Sequence, residues 1–151
     1  ASTGLSRRRS EMAITGGCLC GAVRYAIEAE PLGARTCWCR FCQHIGAGSA
    51  TVNVAFPADS VRIEGTLADF TGKADSGNIM HGRFCPTCGT HVTIQAEARP
   101  HLLAIRAGTL DDPEIARPAM TIWTAQAPSW AAIDPNIPQD QGQPPPPEPK
   151  A

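Results

Sequence analysis

The sequence predicts a mainly β fold, and three observations carry that reading. Short stretches of alternating or β-branched residues recur between turn residues, as in half-buried strands. Fourteen glycines and fourteen prolines punctuate 151 residues, and no long apolar run keeps a helical period. Seven cysteines fall into three groups with metal-ligand spacings, so that distant short segments can share a tie.

Taken in order, residues 16–25 read GGCLCGAVRY, where Cys18 and Cys20 at i and i+2 would share one face of a strand. Residues 22–27 continue that strand and 28–33 turn out of it. Residues 35–43, RTCWCRFCQ, deliver the middle cysteine cluster, and 45–49 follow as a Gly-rich turn. Strands are expected at 50–56, ended by Pro57, and at 61–64 and 67–71 around Gly65. Residues 73–80 are polar and read as a loop. Strands follow at 90–96 and 102–107, then a turn or short helical start at 109–113. The segment 118–133 holds Trp123 and Trp130 and is expected to pack across the sheet.

The length and 42% hydrophobic content suit one domain with a modest core. Residues 1–12 are set aside as a disordered or expression-derived N-terminus, 13–138 form the domain, and the Pro-rich tail 139–151, with Pro144 to Pro147 consecutive, is expected to be extended or disordered. A net charge of −1 argues against a nucleic-acid surface, because phosphate binding draws on clustered Lys and Arg. The Arg7–Arg9 run is terminal and read as solvated. No stretch has the length of a membrane span, so a cytoplasmic location is expected. Oligomeric state is not legible.

Cys18 and Cys20 together with Cys85 and Cys88 offer four thiolates from two short segments, which fits a closed tetrahedral structural zinc. The long interval between the pairs makes that metal a clasp. An odd cysteine count and these spacings speak against a disulfide framework. Cys37, Cys39 and Cys42 offer only three thiolates, and a vacant fourth position is the mark of a catalytic zinc. Three thiolates leave the site net negative and acidify water weakly, so the expected substrate is a small-molecule thiol or thiol adduct. Arg40, inside the cluster, is the expected charge partner, and Arg83 is a second candidate. His44 could instead close the site and make it structural. His81, His91 and His101 are further possible ligands, more simply read as hydrogen-bonded or solvated side chains. Ser76, Gly77 and Asn78 could border a pocket or be plain turn residues. Trp38, Trp123 and Trp130 are read as packing residues.

GGCLCGAVRY at 16–25, CWCRFC at 37–42, RFCPTCGT at 83–90, GTLDD at 108–112 and IWTAQAPSW at 122–130 together resemble the glutathione-dependent formaldehyde-activating enzymes, which are similar to the centromere protein V proteins. The resemblance spans residues 14–138. It implies a β-tent zinc fold, a structural zinc on Cys18, Cys20, Cys85 and Cys88, and a more labile catalytic zinc on Cys37, Cys39 and Cys42. It also implies a carbon–sulfur lyase run in reverse, joining formaldehyde to glutathione as co-substrate. Trp38 and Gln43 stand where a histidine and an arginine are common in that family, which leaves the substrate open. Two other readings stay beside this one: a non-catalytic zinc scaffold that binds a macromolecule, and a redox protein using Cys39 and Cys42 as a dithiol.

Overall fold

The computed structural model describes residues 13–147; the expectation for residues 1–12 lies outside them. Among the described residues, ten strands form two sheets. Strands β1 (Ile14–Gly17), β2 (Arg24–Ile27) and β5 (Val61–Glu64) make a small antiparallel sheet in the order β1-β2-β5. The larger sheet uses β3 (Gly33–Cys37), β4 (Thr51–Pro57), β6 (Ala68–Lys73), β7 (Ile79–Phe84), β8 (His91–Ala96), β9 (Leu102–Arg106) and β10 (Met120–Ile122) in the order β10-β3-β4-β9-β8-β7-β6. One short helix, α1 (Arg40–Ile45), follows β3.

Strand alternation sorts the large sheet into two faces. Ala34, Val54 and Ile105 form one cross-strand row. With Phe56 and Val92 they pack against Tyr25 and Ile27 of the small sheet and Val23 just before it, in one buried cluster. Burying aliphatic and aromatic side chains of this size contributes about 1.5–3 kcal/mol each before entropy is counted, which is why the core forms between the sheets. Residues of the other parity, Arg35, Asn53 and Arg106 in one row and Gly33, Ala55 and Ala104 in the next, face away from that core. The candidate site is built on this second face.

The GTLDD stretch joins the sheets. Leu110 is buried and bridges to Gly16, the Thr109 hydroxyl lies 2.8 Å from Tyr25 Oη, and the Asp111 carboxylate accepts from Arg24 and, at 2.7 Å, from Thr15. Gly16 is required here, because a Cβ would sit 2.2 Å from Tyr25 Oη and 2.3 Å from the Thr109 carbonyl oxygen.

Several sequence expectations are corrected. Cys18 and Cys20 lie in the turn between β1 and β2, not on a strand: Leu19 between them is 89% exposed, and Gly21 takes a positive φ of 82° that ends any pleat. The strand expected over 22–27 therefore starts at Arg24. The two short strands expected around Gly65 do form, as β5 and β6, and belong to different sheets. Residues 73–80, read as a loop, form a tight hairpin between β6 and β7, closed by Ala74 N–H to Asn78 O at 2.9 Å. Segment 118–133 contributes β10, which pairs parallel with β3 at the sheet edge. Trp38 is buried as expected, whereas Trp130 is 70% exposed and meets Trp38 edge-on at 6.4 Å.

The described part of the tail, residues 138–147, runs extended along the domain. Thr121 N–H donates to Pro138 O and Asp140 N–H to Thr121 O, both at 2.9 Å, so residues 138–140 lengthen the free edge of β10. No helix among the described residues is long and apolar enough to cross a membrane.

Candidate metal centres and cleft

The clasp joins two turns, one from each sheet. Cys18 and Cys20 come from the β1–β2 turn, and Cys85 and Cys88 from the β7–β8 turn. Their four sulfurs lie within 4.8 Å of one another, with Cys18 to Cys20 at 3.6 Å and Cys20 to Cys85 at 3.8 Å. Sulfurs placed tetrahedrally at about 2.3 Å from a zinc ion are about 3.8 Å apart, so the donor set and its spacing fit that ion. Polar neighbours are arranged for thiolates. Val23 N–H donates to Cys18 Sγ at 3.2 Å, and the Thr90 hydroxyl lies 3.1 Å from Cys88 Sγ. That hydroxyl, followed by backbone N–H groups, holds Cys88 down to about 5.

The middle cluster is buried. Cys37 ends β3, Cys39 caps α1 by accepting from Cys42 N–H at 3.3 Å, and Cys42 lies one turn into the helix. Their sulfurs also lie within 4.8 Å of one another, and these three cysteines complete the cluster. His44 does not close it: two residues beyond Cys42 on a helix it points to the other side, and it is exposed. His81 is bound between Thr71 and Glu97, His101 is exposed, and His91 meets Phe70 edge-on and lies tilted against Phe84.

The Arg40 side chain is exposed and donates to Gln43 Oε1, while Arg83 pairs with Asp69 at 3.2 Å on the surface. Arg106 lines the same cavity as the three cysteines. Only 7% exposed, it projects from β9 onto the face that carries Cys37. Its Nη1 donates to Asn53 Oδ1 at 2.7 Å, and its Nε and Nη2 are buried without a partner. Burial pulls the guanidinium down, opposed by negative charge on Cys42, Cys37 and Cys39. Hydrogen bonds from Cys37 and then Cys39, helped by Thr51 and Arg106, draw the Cys42 thiol down, and Cys37 rises in exchange. A buried guanidinium with two unanswered donors beside three thiols therefore fits a cluster that carries metal-ligating thiolates.

Gln43 locks the helix in place. Its Nε2 donates to Trp38 O at 2.7 Å and Gln126 O at 3.0 Å, and Gln126 Oε1 accepts from Arg40 N–H at 2.7 Å. The IWTAQ run can reach α1 because Trp123 adopts a left-handed φ of 58°, which turns the chain out of β10. Ile122 and Trp123 pack directly on the three cysteines.

A cavity of about 190 Å³ opens beside Cys37, Cys39 and Cys42. Phe41, Met80, Ile94 and Ile122 give it apolar walls, and Arg106, Asn53, Arg35, Arg99, Ser76 and Asn78 line its polar parts. Gly77 shapes the nearby turn with a φ of 90° and does not line the cavity. Arg106, Asn53 and the tail residues Gln143, Pro146 and Pro147 were not expected here. The strand register that brings β9 beside β4 is the only signal that could have found Arg106.

The profile of the family described as Glutathione-dependent formaldehyde-activating enzyme matches residues 13–126. A protein of Halomonas elongata, provisionally named a glutathione-dependent formaldehyde-activating enzyme, is 25% identical over 133 residues, covering 82% of each chain. The crystal structure of a Rhodobacter sphaeroides protein superposes with a TM-score of 0.53 at 20% identity, covering 83% of this chain and 98% of that one, which supports the fold alone. With both cysteine motifs, the GTLDD joint and the IWTAQ bracket all inside the matched span, this chain belongs to the glutathione-dependent formaldehyde-activating enzyme family.

Proposed function

We propose that the cleft beside Cys37, Cys39 and Cys42 is a zinc-dependent carbon–sulfur lyase centre that joins a small aldehyde to a thiol, with formaldehyde and glutathione as the leading pair. The observation that carries it is a three-cysteine cluster, open to a cavity and faced by the buried guanidinium of Arg106. In this reading Cys18, Cys20, Cys85 and Cys88 hold a structural zinc, and Cys37, Cys39 and Cys42 hold the reactive one. Zinc at the three cysteines would supply Lewis acidity and favour a thiol substrate in its thiolate form.

The residues of the chain do the rest. Arg106, aimed by Asn53, offsets the negative charge of the cluster and of an incoming thiolate. Phe41, Met80, Ile94 and Ile122 keep the wall beside the sulfurs apolar, which strengthens that attraction. Ser76 and Asn78 offer hydrogen-bonding groups where an aldehyde oxygen could sit. The addition is redox-neutral: a sulfur–carbon bond forms, the carbonyl π pair moves to oxygen, and the thiol proton ends on that oxygen. The scaffold reading calls for a closed middle site and no cavity, and neither the three-cysteine set nor the cleft supports it.

The test is exchange spectroscopy of labelled formaldehyde with glutathione, comparing zinc-loaded protein with the Cys37→Ser variant. Faster exchange between free and adduct carbon with the intact protein, lost in the variant while the circular dichroism persists, is expected. Exchange no faster than in buffer would sink the proposal.

A further inference from the structure

The polyproline tail crosses the cleft and is held there by a residue that has a better partner available. After Asp140 the chain stays on the β10 edge: Trp123 N–H donates to Gly142 O at 3.3 Å, and Trp123 Nε1 donates to Gln143 Oε1 at 2.9 Å. It then turns onto the open face of the large sheet. Arg35 Nη2 donates to the Pro145 carbonyl at 2.7 Å, and Pro147 packs over Gly33. The approach is close: a Cβ at that glycine would meet Pro147 Cβ at 3.2 Å, and the tail would have to give by a few tenths of an ångström. This segment lies beyond the span that the family profile matches.

Arg35 stands two residues before Cys37 on β3, so both side chains project from the same face. It is half-buried and lines the cavity together with Arg99. Among the described residues, the partner of its guanidinium is a neutral carbonyl, and no carboxylate lies within ion-pair distance of either arginine. A planar guanidinium binds a carboxylate through two charge-assisted hydrogen bonds, a stronger arrangement than one bond to an amide oxygen. The cavity of about 190 Å³ with the tail in place is also smaller than the roughly 300–1,000 Å³ of sites that enclose larger ligands.

We infer that Arg35 is the anion-recognition residue of this cleft, that the Pro145 carbonyl holds its place until a ligand arrives, and that the site selects thiols bearing a carboxylate remote from sulfur. The inference rests on the reading of the cleft as a thiol site and adds the charge class of the thiol and the segment that gates it. A tripeptide-sized thiol displaces Pro145–Pro147 as its carboxylate takes Arg35.

The experiment is calorimetric binding to the zinc-loaded full-length protein of two probes of similar size, glutathione and its dimethyl ester, whose carboxylates are masked. Glutathione should bind at least tenfold tighter than the ester. Arg35→Gln should weaken glutathione by about 10- to 100-fold, the worth of a charge-assisted pair, and leave the ester within about twofold. A chain stopped after Gln143 should bind both probes more tightly. Gly33→Val, which lifts Pro147 without touching Arg35, should do the same should the shortened chain fail to fold. Equal weakening of both probes by Arg35→Gln would make Arg35 merely structural and overturn the inference, as would no effect on either. Binding of neither probe to the unaltered protein would overturn the thiol reading itself, a result distinct from binding that ignores Arg35.

Discussion

Asn53 and Arg106 stand directly opposite each other on β4 and β9, and the Asn53 carbonyl accepts from the Arg106 guanidinium at 2.7 Å. Asn53 is itself fixed, because its amide donates to Thr51 Oγ1 at 3.0 Å. The pair leaves the other guanidinium donors facing the cysteine cluster. Asn53→Leu should therefore weaken metal retention at Cys37, Cys39 and Cys42 by about 10- to 100-fold, the usual range for a residue that orients a ligand shell. Chelator competition should show this loss while the metal at Cys18, Cys20, Cys85 and Cys88 is retained.

The two cysteine clusters should differ in what their loss does. Cys85 is fully buried and ties the small sheet to the large one, so Cys85→Ser should cost several kcal/mol and leave little folded protein without excess zinc. Cys37→Ser removes a ligand at the end of one strand and should keep the sheet core intact. Melting curves of both variants in zinc-containing buffer check this; comparable losses would contradict the division of roles.

Phe41, beside Cys42 on α1, stacks on Phe70 at 6.2 Å and lies over Gly72, where a Cβ would come within 2.8 Å of its ring. Gly72→Val should push Phe41 outward and tilt α1, costing about 1–3 kcal/mol by overpacking. The effect should appear both in the melting temperature and as weaker metal binding by the three cysteines, although Gly72 touches none of them.

Hydrogen bonds from Arg24 and then Thr15 hold the Asp111 carboxyl down to about 2, against an ordinary value of 3.8. A carboxyl lowered in the folded state contributes stability that is complete above the unfolded value and is lost as pH falls toward the folded one. Asp111→Asn should therefore be less stable than the unaltered chain near pH 6, with the gap closing between pH 4 and 2. Both groups are about half exposed, so solvent screening keeps the gap small. Urea melts of both chains across that range measure it.

The cysteine groups were legible because ligand spacing is a local property, and Cys18, Cys20, Cys85 and Cys88 meet as the pattern implies. Their local conformation was less so. Alternation around Leu19 mimics a strand, but the glycine that follows Cys20 decides for a turn. Arg106 could not be singled out, since its nearness to Cys37 depends on the register of β3, β4 and β9 rather than on anything near it in sequence. The tail was legible only in part. A proline run with no apolar period reads as extended or disordered, and the place of residues 138–143 comes from backbone groups meeting the open edge of β10, which carry no sequence signature.

The clasp also bears on how the chain reaches its fold. Cys20 and Cys85 are 65 positions apart, and closing such a loop in an unfolded chain opposes binding by about 4 kcal/mol of entropy. If these four cysteines hold zinc as proposed, an ion meeting the unfolded protein would be held by either pair alone and would gain the full set only once the sheets have docked. Metal supply would then act mainly on the rate of unfolding: refolding should proceed at similar speed with or without zinc, and the escape of the finished fold should slow steeply when zinc is present.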